Sequence, residues 1–296
     1  MWPHSQFYPV RLQIMAMSPA ASTAPTAQCV CQHIRQTLQA TPGFEVYPFD
    51  VDWYNSVVAE PFSLRHRYAA HTLGVLVLNT PRMFQDSFKP RLVAALANAQ
   101  SDHDDATRQY CETGDPVDQF IQNTMNTAKQ SLLDEFAALT KVDVIYDFSM
   151  TPHRRPQMLM PTCGHVAGAC YYYQPAAQCA SQNGQNKFLG LSLHPVCGGW
   201  FAFRAVFIVP DVQLPPSTVQ PMPQKLLQND DDVQKALELF NYHWQDGRYR
   251  DVTQPKVKYD SEQVEYFSLL PKERWSLIRK WVAENGNGGT ILTDER

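Results

Sequence analysis

The stretch GWFAFRAVFIV, residues 199–209, decides the fold. Its side chains sort with a period of two. Trp200, Ala202, Arg204 and Val206 fall on one side, and Phe201, Phe203, Ala205 and Phe207 on the other, as the pleat of a strand requires. Arg204 is then an arginine inside a strand, and a buried guanidinium needs a carboxylate or another acceptor.

Strands and helices mix irregularly on either side of this strand. Phe188–Leu193 and Val142–Phe148 read as strands, and TLGVLVLN (Thr72–Asn79) is a short apolar run bounded by turn residues, typical of a buried strand. QHIRQTLQATPGFEVYPFDVDWYN reads as a helix, a Pro-Gly turn and an extended aromatic segment. Thr80 and Pro81 have the types expected at a helix N-cap and first position. The clearest helix starts at Asp115, with Pro116 at its first position and Val117, Phe120, Ile121, Thr124, Ala128 and Leu132 on one face. Met158–Tyr173 reads as another helix, with Pro161 near its first turn. A last one follows Asp230–Asp232 and places Val233, Ala236, Leu237, Phe240 and Trp244 on one face. DVQLPPSTVQPMPQ between them reads as a surface connection. This irregular order predicts an α+β fold with a mixed or antiparallel sheet, not a regular parallel array.

A net charge of −4 and a pI near 6.1 argue against a nucleic-acid-binding surface. No apolar run reaches the roughly 18 residues that span a bilayer, so no membrane partner is expected. Seven cysteines, an odd number without paired C-x-x-C spacing, fit reduced thiols in a cytoplasmic protein better than a zinc site or disulfide frame. Residues 1–28 read as a disordered N-terminal extension without a secretory signal, 29–282 as one domain, and 283–296 as a flexible tail.

Motifs for dinucleotides, nucleotides, zinc proteases and serine hydrolases (G-x-G-x-x-G, G-x-x-x-x-G-K-[ST], H-E-x-x-H, G-x-S-x-G) are missing. What stands out is GHVAGACYYYQ, residues 164–174. Gly164, Ala167 and Gly168 would bare one stripe of a helix, open either to a packed neighbour or to a flat ligand. Tyrosine suits a site that is apolar on one side and wet on the other. His165 is a candidate base, although a lone histidine is more often a hydrogen-bonded core residue. Arg204, Arg250 and Arg274 could meet only in the fold. An arginine left without a protein partner can hold a ligand carboxylate with both arms of its fork.

GFEVYPF with WYN, then LNTPRMF, DPVDQ, HRRP, HVAGACYYYQ, HPVCGGWFAFR, FNYHW, YRD and SEQVEYFSLLP occur in this order between about Cys29 and Lys280. Together they resemble the cobalamin-processing chaperones of the CblC type, the methylmalonic aciduria and homocystinuria type C family. The resemblance implies a nitroreductase-like flavin reductase fold, with flanking helices and a cap. It implies a cytoplasmic enzyme that binds cobalamin base-off and removes its upper ligand. Cyanide would leave reductively, with electrons from reduced FAD or FMN, and alkyl groups would pass to glutathione.

By motif, the cobalamin contacts fall on Asp147, Met158, Leu159, Met160, Pro161, Tyr172, Tyr173, Gln174, Ser192 and Phe203. Met160 and Pro161 depart from the usual residues at their positions. The family's glutathione site falls on Arg204, Arg250 and Arg274, with His165 as a further catalytic candidate. D-x-H-x-x-G, which brings a histidine to cobalt, is missing, so the corrin alone is expected to hold the metal. A downstream CblD-type trafficking partner is implied. So is a homodimer formed through the PHRRP loop, where this chain lacks the asparagine often present. A cobalamin carrier without turnover and a plain flavin reductase are the competing readings.

Overall fold

A computed structural model describes residues 24–97, 108, 112, 114–175 and 188–286. Helix α1 (Ala27–Gln39), capped by Thr26, leads into strand β1 (Phe44–Asp50) and the short helix α2 (Val51–Val57). Strand β2 (Thr72–Asn79) is followed by a π-helical turn (Phe84–Phe88), α3 (Lys89–Ala97) and α4 (Pro116–Glu135). The Asp115 carboxylate accepts the Val117 N–H, and Pro116 opens α4 as its spacing predicts. Then come β3 (Asp143–Tyr146), α5 (Met160–Val166), β4 (Tyr171–Tyr173), β5 (Leu191–Leu193) and β6 (Ala202–Gln213). Helices α6 (Asp230–Tyr242), α7 (Ser261–Ser268) and α8 (Trp275–Gly286) complete the described chain.

Four strands form one antiparallel sheet in the order β1-β2-β6-β3. The α+β, antiparallel expectation therefore holds. One face carries Leu73, Val75, Val77, Ala205, Phe207 and Val209 against α1, α3, α4, α7 and α8. The other carries Leu76, Leu78, Ile145, Val206 and Ile208 against α2 and α5. With both faces covered, β2 is buried at every position, which explains its unbroken apolar run. Each fully buried Leu or Phe here contributes roughly 1.5–3 kcal/mol.

The simple alternation of residues 199–209 fails at one residue. Val77 pairs with Ala205 but Leu78 pairs with Phe203, so Arg204 is left over as a bulge. The extra residue flips the side-chain order before it. Phe203 joins Val206 and Ile208 on the α5 face instead of Ala205 and Phe207. The strand also starts later than predicted and runs to Gln213, into the proline-rich stretch. Pro210 lies in a second irregularity between the Leu73–Val209 and Thr72–Gln213 pairs, where a missing N–H is tolerated.

The helix predicted over Met158–Tyr173 is corrected to Met160–Val166. Gly168 adopts φ +73°, its N–H bonds the His165 carbonyl at 3.1 Å, and the Ala169 N–H bonds the Gly164 carbonyl at 2.9 Å. These are the two bonds of a Schellman ending, and the tyrosines beyond it form β4, paired with β5. This ribbon packs with Leu227, Ala236 and Leu237 in a third small cluster. Trp244 lies beyond α6 and is 60% exposed, so it is not part of that helix face. The 1–28 extension falls almost wholly outside the described residues, as does the tail beyond Gly286, while α8 carries ordered helix past the expected boundary at 282.

Candidate functional site

The Arg204 bulge turns Phe203 toward the end of β3 and the start of α5. There Asp147, Pro156, Met158, Leu159, Met160, Pro161, Ala202 and Phe203 line a cleft of about 350 Å³. Tyr54 of α2 steadies its rim by accepting the Leu159 N–H at 2.9 Å. Six of the ten residues expected to touch cobalamin thus meet in one place, drawn from β3, the loop after it, α5 and β6. A cavity of about 410 Å³ between α1, α3 and α4 contains none of the expected residues.

Asp147 is the one ionisable group in the cleft lining. Its Oδ1 is buried and meets no donor in full hydrogen-bond geometry, although the Asp147 and Phe148 backbone N–H groups face the carboxylate and favour its charge, and its Oδ2 lies 4.0 Å from Arg204 Nη1. Burial pushes its carboxyl up to about 6, Arg204 opposes the shift, and Asp118 of α4 adds to it. Between the ordinary value of 3.8 and about 6 the folded protein holds a proton that the unfolded chain has released. Stability therefore falls as pH rises through that window and stays low above it. Asp147→Asn should raise the melting temperature at pH 7.5 by about 4 °C and change it little at pH 4. Equal shifts at both pH values in a thermal scan would contradict this origin.

The other four expected contacts lie on or beside the ribbon. Tyr172 pairs with Ser192 across β4 and β5, and its ring covers Gly190. Ser192 Oγ is buried beside Cys170. Gln174 is exposed. Tyr173 departs from the expectation that it faces a ligand: it is 3% exposed, and its hydroxyl accepts the Leu226 and Leu227 N–H groups at 2.7 and 2.8 Å. His165 is not in the cleft lining. Its Nδ1 accepts the Tyr172 N–H at 3.2 Å, which ties α5 to the ribbon, and burial lowers its pKa. Gly164 serves packing, because the Phe203 ring and the Cys170 sulfur fill the space its side chain would take.

The three arginines have charged or polar neighbours in common. Arg204 and Arg274 both act on the Asp118 carboxylate, and Arg204 and Arg250 both act on the half-buried Tyr259. All three have protein partners that the sequence does not reveal. Arg204 Nε donates to the buried Asn79 Oδ1. Arg274 Nη1 donates to Asp115 at 2.6 Å, and its Nε to the Tyr266 and Leu269 carbonyls at 3.2 Å each. Arg250 stacks 4.9 Å from the Trp200 ring centre, and its Nε donates to the Tyr249 hydroxyl. It makes no ion pair among the described residues, which leaves its fork the most available of the three.

His194, weakly marked in the sequence, is 2% exposed and structural. Its Nδ1 accepts the Val196 and Cys197 N–H groups, each at 3.2 Å, and its Nε2 faces Glu45. That pins the turn leading into β6. Cys31 and Cys197 are buried thiols pushed up to about 11, and burial pushes the Cys170 thiol up to about 12, so none is a ready nucleophile.

Comparison with known proteins gives the chain a family. The model of the methylmalonic aciduria and homocystinuria type C family matches residues 43–278. A Caenorhabditis elegans MMACHC-like protein is 37% identical over 86% of this chain and 94% of its own. The Gallus gallus cyanocobalamin reductase / alkylcobalamin dealkylase is 40% identical over 80% of this chain and 90% of that protein. The Homo sapiens protein of the same name is 38% identical over 80% and 76%. The crystal structure of a C. elegans B12-trafficking protein, CblC, superposes with a TM-score of 0.75 at 36% identity, covering 86% of this chain and 96% of that one. The family model spans the segments that build the cleft, and this chain belongs to the methylmalonic aciduria and homocystinuria type C family.

Proposed function

We propose that this chain is a cobalamin-processing enzyme that removes the upper axial ligand, cyanide by reduction and alkyl groups by transfer to glutathione. The observation that carries the reading is the cleft in which Asp147, Met158, Leu159, Met160, Pro161 and Phe203 meet, in a chain whose relatives are named for those two reactions. A corrin ring is much larger than this cleft, so bound cobalamin extends past it toward Tyr172, Gln174 and Ser192. The lining contains no histidine, and base-off cobalt without a strong lower ligand is easier to reduce.

Glutathione is placed against the arginines. Arg250 offers its fork to one carboxylate, and the field of Arg204 and Arg274 favours the thiolate, which is the nucleophile. Holding that sulfur near the cobalt-bound carbon lowers the barrier chiefly by proximity. The cleft has no cationic side chain to meet a flavin phosphate. Reduced FAD or FMN is therefore given no resident site, and stands only as the class of donor that decyanation requires. Nitroreductase-like kinship, a cytoplasmic location, handover to a CblD-type partner and a homodimer through the exposed 150–156 hairpin belong to the same proposal.

An anaerobic absorbance experiment tests it. Mixing protein with methylcobalamin should give the base-off spectrum, and glutathione should then convert it to reduced cobalamin and S-methylglutathione. An unchanged spectrum on mixing refutes cobalamin binding. A base-off shift without glutathione-dependent demethylation leaves the non-catalytic carrier.

A further inference from the structure

Alkyl transfer to a thiol needs a place for the thiol proton. A cysteine-type thiol ionises near 8.5 and is only a few per cent thiolate at neutral pH. The arginines can favour the anion but cannot accept a proton. Pro156, Met158, Leu159, Met160, Pro161, Ala202 and Phe203 cannot accept one either, so Asp147 is the sole proton acceptor in the cleft lining. It is also the cleft residue that reaches the arginine group, at 4.0 Å from Arg204. A sulfur that meets the cobalt-bound carbon over the cleft while its carboxylates lie at the arginines must pass this seam. The Asp147 side chain is 31% exposed while its Oδ1 is buried, so Oδ2, beside Arg204, is the oxygen a thiol in the cleft can reach.

We propose that Asp147 is the general base of dealkylation, taking the thiol proton of the alkyl acceptor. The S–H bond breaks and an O–H bond forms on the carboxylate. The sulfur bonds to the alkyl carbon as the cobalt–carbon bond breaks, and the electron pair of that bond stays on cobalt, reducing Co(III) to Co(I). The thioether leaves, and Asp147 later gives its proton to water. The proposal rests on the glutathione reading above.

The charged surroundings suit the role. Arg204 of β6 and Asp118 of α4 act on Asp147 with opposite sign, and Asp118 is itself faced by Asp115, Arg204 and Arg274. Burial and the second carboxylate set the Asp147 carboxyl at about 6. That is ionised at neutral pH yet far more basic than an ordinary aspartate.

The test is single-turnover demethylation of pre-bound methylcobalamin by glutathione between pH 5.5 and 9, in wild type and Asp147→Asn. Wild type should rise through an ionisation near 6 and then level. Asp147→Asn should be about 10²-fold slower at pH 7 and climb with thiol ionisation, to within about threefold of wild type at pH 9. In Asp147→Ala, added formate should recover part of the rate at pH 7. A deficit equal at every pH, with no formate recovery, would make Asp147 a structural residue and overturn the proposal, as would wild-type speed in either variant. If wild type itself shows no thiol-dependent demethylation, the glutathione reading has failed first and the base falls with it.

Discussion

Arg204→Ala should unfold more easily by about 3 kcal/mol at pH 7.5 and lose most thiol-dependent demethylation. The side chain is 7% exposed and sits in the β6 bulge, where one guanidinium serves three groups. Its Nε satisfies Asn79, which is fully buried, and its charge faces Asp147 and Asp118. Truncation orphans the amide oxygen and leaves two half-buried carboxylates without their shared cation. Removing one partner of such a buried set costs about 3–5 kcal/mol. The 4.0 Å separation from Asp147 puts this case at the low end.

The sign of the pH dependence follows from the same groups. Both carboxyls already lie above their ordinary values and rise further once the cation is gone. The folded variant then binds protons that the unfolded chain releases, so its deficit shrinks as pH falls toward 5. Urea unfolding at pH 7.5 and pH 5 reads this directly, and a deficit that grew on acidification would contradict it. Demethylation should fall further than cobalamin affinity, because on the proposed reading the arginine holds the thiol substrate while the cleft holds the corrin. Equal loss of both would remove Arg204 from the glutathione site.

How much of this was legible beforehand depends on the range of the forces involved. β2 and the start of α4 could be read almost to the residue, because TLGVLVLN and the Asp115–Pro116 cap encode themselves within a few positions. The bulge could not. GWFAFRAVFIV alternates cleanly as a string, and only the pairing of Leu78 with Phe203 shows that the alternation breaks at Arg204. The tyrosine strand looks helical in the sequence for a related reason. Gly164 and Gly168 are four apart in either case, and only the left-handed φ of Gly168 says that the helix stops. Asn79 and Asp118 went unmarked because nothing local ties them to Arg204, which lies 125 and 86 positions away. The cleft residues were found by resemblance. Their periodicity alone would have assigned them to four unrelated elements.

Gly164→Ala is the sharper probe of that cleft, because a single methyl group tests how α5 supports it. A Cβ at residue 164 would lie 2.6 Å from Cε1 of Phe203 and 2.7 Å from the Cys170 sulfur. Cys170 is buried, while Phe203 borders open space in the cleft, so the ring is the group that gives way, and it moves into the proposed corrin site. Overpacking of this kind costs about 1–3 kcal/mol, while alanine recovers up to about 1 kcal/mol over glycine in a helix. Global stability should therefore fall by only about 1 kcal/mol. Cobalamin affinity should fall about tenfold, the equivalent of 1.4 kcal/mol, because the displaced ring competes with the ligand. Adding Phe203→Leu should restore part of that affinity, a non-additivity expected only of residues in contact. Gly168→Ala is the contrast: it strains a φ of +73° against Pro221, away from the cleft, and should lower stability while leaving affinity within about twofold. If titration shows Gly164→Ala binding methylcobalamin as tightly as wild type, Phe203 does not border the corrin, and the cleft is not where the ligand sits.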